Sequence, residues 1–438
     1  MRIQHEIFKL NSAKIKNYFL NELNIAIFLI PIWWILGLKF FIFHLLSLWI
    51  FLKLIMTRIK ICIPKEAIPL LFFIFCYVNS IVFNVGEASF PRVLASVYNL
   101  SFWIMGFMLL TSIYNTISRN FLFSFLKALS FCGVVSGIIS IFSIFLWYKG
   151  YYHLQTRSLL GMFLNLGSMG SEAQLIFSSL NPTIVSTDYV FGKPIPRFFG
   201  FEVYPTAMGA LSFFSIVMSL AFYKITRRKI LKIVIFFEYL ALFTSLSRIA
   251  IIAAIFCSTL INIFLKIKKY SYFLFIQLFL LGIILSSFLL PLTKIWSFTA
   301  EFRKGSTEFR KELYEVTLKE AIKKPILGHG IKPRAEKFPV PVGSHSMYLG
   351  VIFKTGFVGF FTFSLFWLMI FLKWWKLRFT MKEEVYLKYV WFYSGVAILG
   401  GLLWMFSEDI DAPSIVTFIY FLIIGILVSL NKLKNQNS

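Results

Sequence analysis

The sequence predicts an all-α, polytopic membrane protein with about 12 transmembrane helices. Of its 438 residues, 58% are hydrophobic and only 14% are charged, and the mean hydropathy is +0.79. Apolar runs long enough to cross a bilayer recur along the whole length. These observations indicate a single membrane domain over residues 1–438.

Windows of about 20 residues place the transmembrane helices between polar or basic breaks in the sequence. The first two predicted helices are short and are interrupted by Lys39 and His44, so they could instead form one broken hairpin. In chain order, the predicted helices span residues 24–37, 40–56, 67–85, 93–113, 122–148, 205–223, 231–246, 249–265, 271–292, 347–372, 389–406 and 414–430.

Charge predicts how these helices are oriented. The formal net charge is +25, but most basic residues lie in short clusters between apolar runs. This pattern is typical of membrane orientation signals rather than of a nucleic-acid partner. The last outer loop, residues 407–413 (SEDIDAP), has three acidic residues and no basic one. The positive-inside rule therefore predicts cytoplasmic N- and C-termini.

This topology leaves two long segments on the external face, residues 149–204 and 293–346, while the inner loops are short. A twelve-helix transporter more often has two similar halves joined by a central cytoplasmic loop, and the sequence shows neither feature. We therefore predict an enzyme that acts at the external face. The four cysteines show no spacing typical of a metal site or a disulfide framework.

The first external segment ends in FGKPIPRFFGFEVYPTAMG, residues 191–209. Three prolines interrupt helix formation, and Arg197 lies among aromatic residues directly before a membrane span. A single arginine at this position could be a lipid-headgroup anchor. Glu202 follows five residues later and could pair with it.

Arg248 lies in TSLSRIAIIAAIF, residues 244–256, and is the only charged residue between Glu238 and Lys266. The topology places it at the external face, between two spans with almost no loop. A cation in such an apolar hairpin is usually paired. We expect its partner to come from elsewhere in the fold or from an anionic ligand.

The second external segment contains a predicted helix on the membrane surface. Ser306 or Thr307 can cap its start, apolar residues recur at helical spacing, and Pro325 closes it. Most of its charged residues are expected to contact water or lipid phosphates, and Arg310 is the one functional candidate. His329, in the turn that follows, is interpreted as a surface residue.

A histidine opens the next apolar run, in GSHSMYLG, residues 343–350. His345 would lie where the span meets external water, next to Ser346 and Tyr348. An imidazole can act as a general base near neutral pH. The alternative is an interfacial histidine that caps the helix through a backbone contact.

The order of these features resembles the O-antigen ligase and polymerase superfamily of bacterial envelope glycosyltransferases. The resemblance rests on RFFGF, the SR hairpin, FRKELYEVTLKEAIKKPILGHG and GSHSMYLGVIFKTGFVG, and it covers residues 190–372. It implies a GT-C-like membrane glycosyltransferase that needs no metal or other cofactor. It also implies a bacterial cytoplasmic (inner) membrane location and an undecaprenyl-diphosphate-linked glycan as donor.

The resemblance assigns roles to individual residues. Arg197 and Arg248, with Arg310, would bind the donor diphosphate, and His345 would assist the acceptor hydroxyl. Glu202, Ser346 and Tyr348 would support the site. The histidine of this superfamily is often followed by asparagine, whereas Ser346 follows here, which leaves one neighbouring hydrogen bond open.

The sequence does not identify the acceptor molecule. A polymerase adds the glycan to another lipid-linked repeat, a ligase transfers it to a lipid-anchored core or wall component, and a related branch glycosylates protein. The GSHSMYL form and the lack of a large soluble appendage favour a polysaccharide polymerase over a ligase. The alternative function is a polysaccharide or lipid-linked oligosaccharide transporter (flippase), which helix count and basicity alone would also fit.

Overall fold

The computed structural model describes residues 19–57, 61–164, 180–190, 192–266, 304–334, 337–338, 340–381 and 384–435. The all-α polytopic membrane class is confirmed. Within these ranges, eight helices are long and apolar enough to cross a membrane. The predicted span 271–292 and the first part of the second external segment lie outside the described residues.

The helices follow the predicted apolar runs closely. In chain order they are α1 (Asn21–Phe28), α2 (Ile30–Leu36), α3 (Lys39–Met56), α4 (Ile68–Asn84), α5 (Phe90–Thr116), α6 (Arg119–Tyr148), α7 (Leu159–Phe163), α8 (Pro205–Thr226), α9 (Ile230–Thr244), α10 (Arg248–Lys266), α11 (Lys304–Ala321), α12 (Met347–Thr380), α13 (Val385–Trp404) and α14 (Ile415–Asn435).

The first predicted span, residues 24–37, is not one continuous helix. The helix is interrupted at Leu29, and two short helices, α1 and α2, replace it. Pro31 at the start of α2 cannot donate a backbone hydrogen bond, which favours the break. Gly37 then ends α2 in the left-handed conformation, with φ of 78°.

Helices α8 and α14 form the centre of the bundle. In the most apolar part of each, 83% and 89% of the residues are buried inside the protein, against 33% for α3. Small residues permit this close packing, because Gly106 of α5 faces the ring of Phe421 and Gly401 of α13 faces the ring of Tyr420. The outer helices expose their remaining apolar faces, as lipid contact requires.

The segment predicted to be the first external one, residues 149–204, contains a small antiparallel sheet that the sequence did not predict. Strands β1 (Leu154–Gln155), β2 (Thr183–Val190) and β3 (Lys193–Arg197) lie in the order β1-β2-β3. Ser186 pairs with Arg197 in the β2–β3 register. β3 is an edge strand, the position in a sheet where prolines are tolerated.

The predicted surface helix exists as α11, with bounds that differ from the prediction. It already includes Lys304, before the predicted caps, and ends at Ala321, four residues before Pro325. The following loop contacts α12 where that helix is kinked at Gly356, whose φ is 61°. His329 N and Gly330 N donate to the carbonyls of Phe353 and Lys354, both at 2.8 Å. The kink thus frees carbonyl groups that this loop satisfies.

Candidate functional site

The connection between α13 and α14, residues 405–414, is the centre of the candidate site, and we call it the acidic hairpin. Its three acidic residues are all largely buried, and each one contacts a basic side chain from another part of the chain. The pairs are Glu408 with Arg310 and His345, Asp409 with Lys332, and Asp411 with Lys354. Segments far apart in sequence therefore meet at this hairpin.

Glu408 connects two of the predicted site residues. Its Oε1 lies 2.7 Å from Arg310 Nη2, and its Oε2 lies 3.8 Å from His345 Nδ1. Arg310 Nη1 also donates to the carbonyl of Ser407, at 3.1 Å. Burial would raise the pKa of the Glu408 carboxyl, but the charge of Arg310 and the contact with His345 outweigh it and lower the pKa to about 2. Glu408 is thus a carboxylate at neutral pH.

His345 precedes the helix rather than beginning it. The helix α12 begins at Met347, and Ser346 is its N-cap, with Oγ accepting from Leu349 N at 3.5 Å. The alternative of a capping histidine is therefore wrong. His345 itself has φ of 63°, an unusual left-handed backbone for a residue with a Cβ.

Two neighbours keep His345 in this conformation. Tyr314 of α11 donates its hydroxyl proton to the His345 carbonyl, at 2.5 Å. Phe309 meets the imidazole edge to face, with 6.2 Å between ring centroids. About a quarter of the side chain stays accessible (27%). Strain of this kind is often retained at functional sites.

The other two acidic residues secure the hairpin to the bundle. Lys332 Nζ donates to Asp409 Oδ2 at 2.8 Å. Lys354 donates to Asp411, which also accepts from Trp103 Nε1 at 3.1 Å. Sequence reasoning missed this role and used residues 407–413 only for topology. The signal was Lys354, a lysine within a predicted span, because such residues usually have a partner.

Arg197 lies at the end of β3, with 14% of its side chain exposed. Its Nη1 is 2.9 Å from Asp188 Oδ2 on the neighbouring strand, and its Nε donates to the carbonyl of Ser245 at 3.2 Å. The possible pairing of Arg197 with Glu202 is therefore wrong. The register of the sheet explains this, since β2 brings Asp188 next to β3.

Arg248 is the first residue of α10, directly after the short turn that follows α9. The predicted tight hairpin between two apolar helices is confirmed. The same turn accepts two hydrogen bonds from the end of β3, from Arg197 Nε to Ser245 and from Phe198 N to Thr244 at 3.0 Å. Arg197 therefore contacts Ser245, which lies three positions before Arg248 in the sequence.

The residues predicted to support the site contact the acidic hairpin or its flanking helices. Buried Glu202 accepts from Ile415 N at 3.1 Å, and Tyr348 donates to the carbonyl of Leu402 at 2.9 Å. Burial raises the pKa of Glu202 to about 7, although the nearby Lys39 ammonium lowers it in part. These contacts are structural ones, at the base of the hairpin.

The N-terminus of α8 lies between the two groups of site residues. Tyr204, its N-cap, donates to the carbonyl of Pro413 in the acidic hairpin at 3.1 Å. On the other side, Gly209 packs so closely on the turn before Arg248 that an added Cβ would lie 2.7 Å from Ser247 Cβ. Arg197, Arg248, Arg310 and His345 are therefore at the same end of the bundle.

Comparison with known proteins assigns a family to part of the chain. The family model described as O-antigen ligase matches residues 231–364, a range that includes Arg248, Arg310 and His345. No curated protein matches the chain significantly. This match supports the resemblance to the O-antigen ligase and polymerase superfamily over residues 231–364.

Proposed function

We propose that the protein is a membrane glycosyltransferase that polymerises or transfers an undecaprenyl-diphosphate-linked glycan. The reaction takes place on the external face of the bacterial cytoplasmic membrane, with both termini of the chain in the cytoplasm. Polysaccharide polymerisation is favoured over O-antigen-type ligation, and no metal is required. The match to the O-antigen ligase family model supports the reaction class.

The contact between His345 and Glu408 is the observation that carries this proposal. A carboxylate facing Nδ1 favours the tautomer in which Nδ1 bears the proton. The other ring nitrogen, Nε2, is then an acceptor and can take a proton from a hydroxyl group. The 3.8 Å separation exceeds a direct hydrogen bond and fits an electrostatic contact. Arg310 fixes the carboxylate from the opposite side.

The reaction follows from this arrangement. The acceptor hydroxyl oxygen attacks the anomeric carbon of the donor glycan, and its proton goes to His345 Nε2. The bond between the anomeric carbon and the diphosphate oxygen breaks, and that oxygen keeps the electron pair. Undecaprenyl diphosphate leaves, and the new glycosidic bond extends the glycan.

The predicted arginines would stabilise the leaving diphosphate. Guanidinium groups bind phosphate oxygens in a planar, two-point geometry, which is strongest where water is scarce. Arg197 ends strand β3 and contacts the turn that directly precedes Arg248. This proximity supports one diphosphate site that both arginines share. Arg310 remains a predicted diphosphate ligand, and its observed contacts with Glu408 and Ser407 add a positioning role.

The test uses purified protein in lipid bilayers. An undecaprenyl-diphosphate-linked repeat unit from the host membrane is supplied as the only substrate, without divalent metal. We expect longer glycans and released undecaprenyl diphosphate, because one molecule can act as donor and another as acceptor. Reaction only after addition of a lipid-anchored core, a wall fragment or a protein would establish a ligase. Movement of the glycolipid across the bilayer without a new glycosidic bond would establish the transporter alternative.

A matched pair of histidine variants separates chemistry from folding. His345→Ala should reduce elongation to a small residual rate while donor binding persists, because the arginines bind the diphosphate. His153→Ala removes an exposed histidine of the first external segment and should leave the rate unchanged. Wild-type rates in His345→Ala would exclude it as the base.

A further inference from the structure

The hydroxyl group of Tyr314 contacts the backbone of His345, and the reaction described above gives this hydroxyl no part. Tyr314 lies on α11 and donates to the His345 carbonyl oxygen at 2.5 Å. A backbone carbonyl accepts hydrogen bonds and cannot donate them, so the direction of this bond is fixed. Burial raises the pKa of the Tyr314 phenol. The hydroxyl therefore keeps its proton, and the bond persists, throughout the neutral pH range.

The contacted carbonyl belongs to a residue with an unfavourable backbone conformation. His345 has φ of 63°, and a residue with a Cβ keeps such a conformation only where its surroundings hold it. Rotation of residue 345 to an ordinary negative φ would redirect its Cα–Cβ bond. The imidazole, which faces Glu408 through Nδ1, would then move away from that carboxylate. The bond from Tyr314 opposes this rotation.

Helix α11 holds both the backbone and the side chain of His345. Arg310 lies one helical turn before Tyr314, and the two side chains interact. Arg310 also pairs with Glu408 at 2.7 Å, and Glu408 lies 3.8 Å from His345 Nδ1. A closed network of four residues thus joins the carbonyl of the histidine to its own ring nitrogen. Within such a network, a change at one member affects the others.

Contacts other than the Tyr314 hydroxyl hold α11 on the segment that leads to His345. A small hydrophobic cluster, separate from the main core, joins the helix to this segment and to α12. Its buried members are Leu313, Ala321, Phe338, Val342 and Phe353. Thr317 Oγ1 also accepts from Gly343 N, at 3.0 Å. A variant that lacks only the hydroxyl should therefore fold and keep α11 in place.

We propose that Tyr314 is a positioning residue, whose hydroxyl holds residue 345 in its left-handed conformation and thereby directs the imidazole Nε2 toward the acceptor hydroxyl. Tyr314 acts only through His345 and takes no part in bond formation or proton transfer. The effect on turnover rests on the proposed function, whereas the effect on the imidazole position does not.

A matched pair of tyrosine variants tests the effect on turnover. Tyr314→Phe removes the hydroxyl, and Tyr420→Phe removes a buried hydroxyl that donates to the carbonyl of Ile398 at 2.8 Å, in the centre of the bundle. Each variant loses one buried hydrogen bond, so their unfolding midpoints should shift by similar amounts. Tyr314→Phe should lower kcat for glycan elongation by about tenfold or more, with a smaller change in KM for the donor. Tyr420→Phe should keep the wild-type kcat, and equal kcat values in the two variants would overturn the proposal.

The same substitution in a protein without the imidazole tests whether Tyr314 acts through His345. The residual elongation rate of His345→Ala should not change when Tyr314→Phe is added, because no ring remains to be positioned. A further loss of about tenfold in the double variant would show a role that is independent of His345. That outcome would overturn the proposal.

A chemical probe measures the position of the imidazole without any enzymatic reaction. Diethyl pyrocarbonate acylates accessible histidines, and mass spectrometry of the full-length protein in detergent gives the rate at each one. Since 27% of the His345 side chain is exposed, we expect Tyr314→Phe to raise its acylation rate by about twofold or more, because the released segment opens more often. Exposed His153 should react at the same rate in the wild type, Tyr314→Phe and Tyr420→Phe.

An unchanged acylation rate at His345 in Tyr314→Phe would overturn the positioning role, whatever the activity of the wild type. If the wild type forms no glycosidic bond, the proposed function fails while the acylation rates still test Tyr314. The two proposals therefore fail separately.

Discussion

The two ends of the helix bundle use charged residues in different ways. At the end with the acidic hairpin, Lys332 and Asp409 have 5% and 11% of their side chains exposed. Lys354 and Asp411 have 0% and 1% exposed. At the opposite end, Arg119 and Glu384 have 41% and 31% of their side chains exposed. Lys53 and Glu22 have 30% and 40% exposed. Among the described residues, the most deeply buried ion pairs lie at the first end, although Lys373–Glu66 at the opposite end is also largely buried, with 18% and 12% of the side chains exposed.

Burial changes what an ion pair does. A solvated pair contributes less than about 1 kcal/mol to stability and can be lost without consequence. A buried pair contributes little net stability relative to apolar residues, but removal of one partner leaves an uncompensated charge. The acidic hairpin is thus held in one position by the charges it contacts, as an active site requires.

The largest expected effect is that of Lys354→Met, which leaves Asp411 buried without its cation. We expect destabilisation of about 3–5 kcal/mol, measured as a shift in the unfolding midpoint in detergent. Lys53→Met is the control at the opposite end and should cost less than about 1 kcal/mol. The double variant Lys354→Met/Asp411→Leu should recover much of the loss. Equal shifts for Lys354→Met and Lys53→Met would remove the distinction between the two ends.

Acid should act on the hairpin end specifically, through Glu408. Its pKa of about 2 in the folded protein lies below the unfolded value of about 4.3. The stabilisation is therefore complete above pH 5 or so and is lost as pH falls toward about 2. We expect the difference in Tm between the wild type and Glu408→Gln to shrink below about pH 4. A difference that stays constant from neutral pH down to about pH 3 would contradict the depressed pKa.

Glu408→Gln should also lower kcat for glycan elongation by about 100-fold, since His345 loses the carboxylate that orients it. KM for the donor should change less than kcat, because in the proposed function Arg197 and Arg248 bind the diphosphate from a different part of the site. This split separates positioning of the base from general loss of structure. Glu384→Gln is the matched control because it makes the same change at the opposite end of the bundle. It should leave kcat and KM unchanged. An unchanged kcat in Glu408→Gln would mean that His345 does not depend on this carboxylate.

A smaller effect is expected for Arg248→Lys, about tenfold in turnover, because lysine keeps the charge but not the planar fork. Arg119→Lys makes the same change at the opposite end, in a solvated pair, and should have no effect. Steady-state rates with the lipid-linked repeat unit measure both. If turnover in Arg248→Lys equals that of the wild type, Arg248 is a membrane anchor and not a diphosphate ligand.

Much of the fold could be predicted from the sequence because lipid imposes a simple rule. Apolar length alone locates helices such as α4, α5 and α6 within a few residues. The break at Leu29 was harder to predict, because a proline such as Pro31 is compatible both with one kinked helix and with the start of a second helix. The small sheet before α8 depends on pairing between β2 and β3, which weak local sequence patterns do not reveal.

The candidate site was only partly predictable for a related reason. His345 and Arg248 stand out locally, as polar residues beside apolar runs. Glu408 does not, because its partners Arg310 and His345 lie 98 and 63 residues away in sequence. A buried charge network is defined by contacts between distant segments, and a single sequence gives no direct sign of them. The intramembrane Lys354 was the one local clue.

In the proposed function, Glu408 and His345 act as one unit in glycosyl transfer. A double-mutant cycle tests it most directly, with elongation rates measured for His345→Ala, Glu408→Gln and the variant with both changes. We predict that the double variant is no slower than His345→Ala alone, because the carboxylate acts only through the imidazole. Losses that multiply, with the double variant slower by the product of the two single effects, would show independent roles and contradict the account.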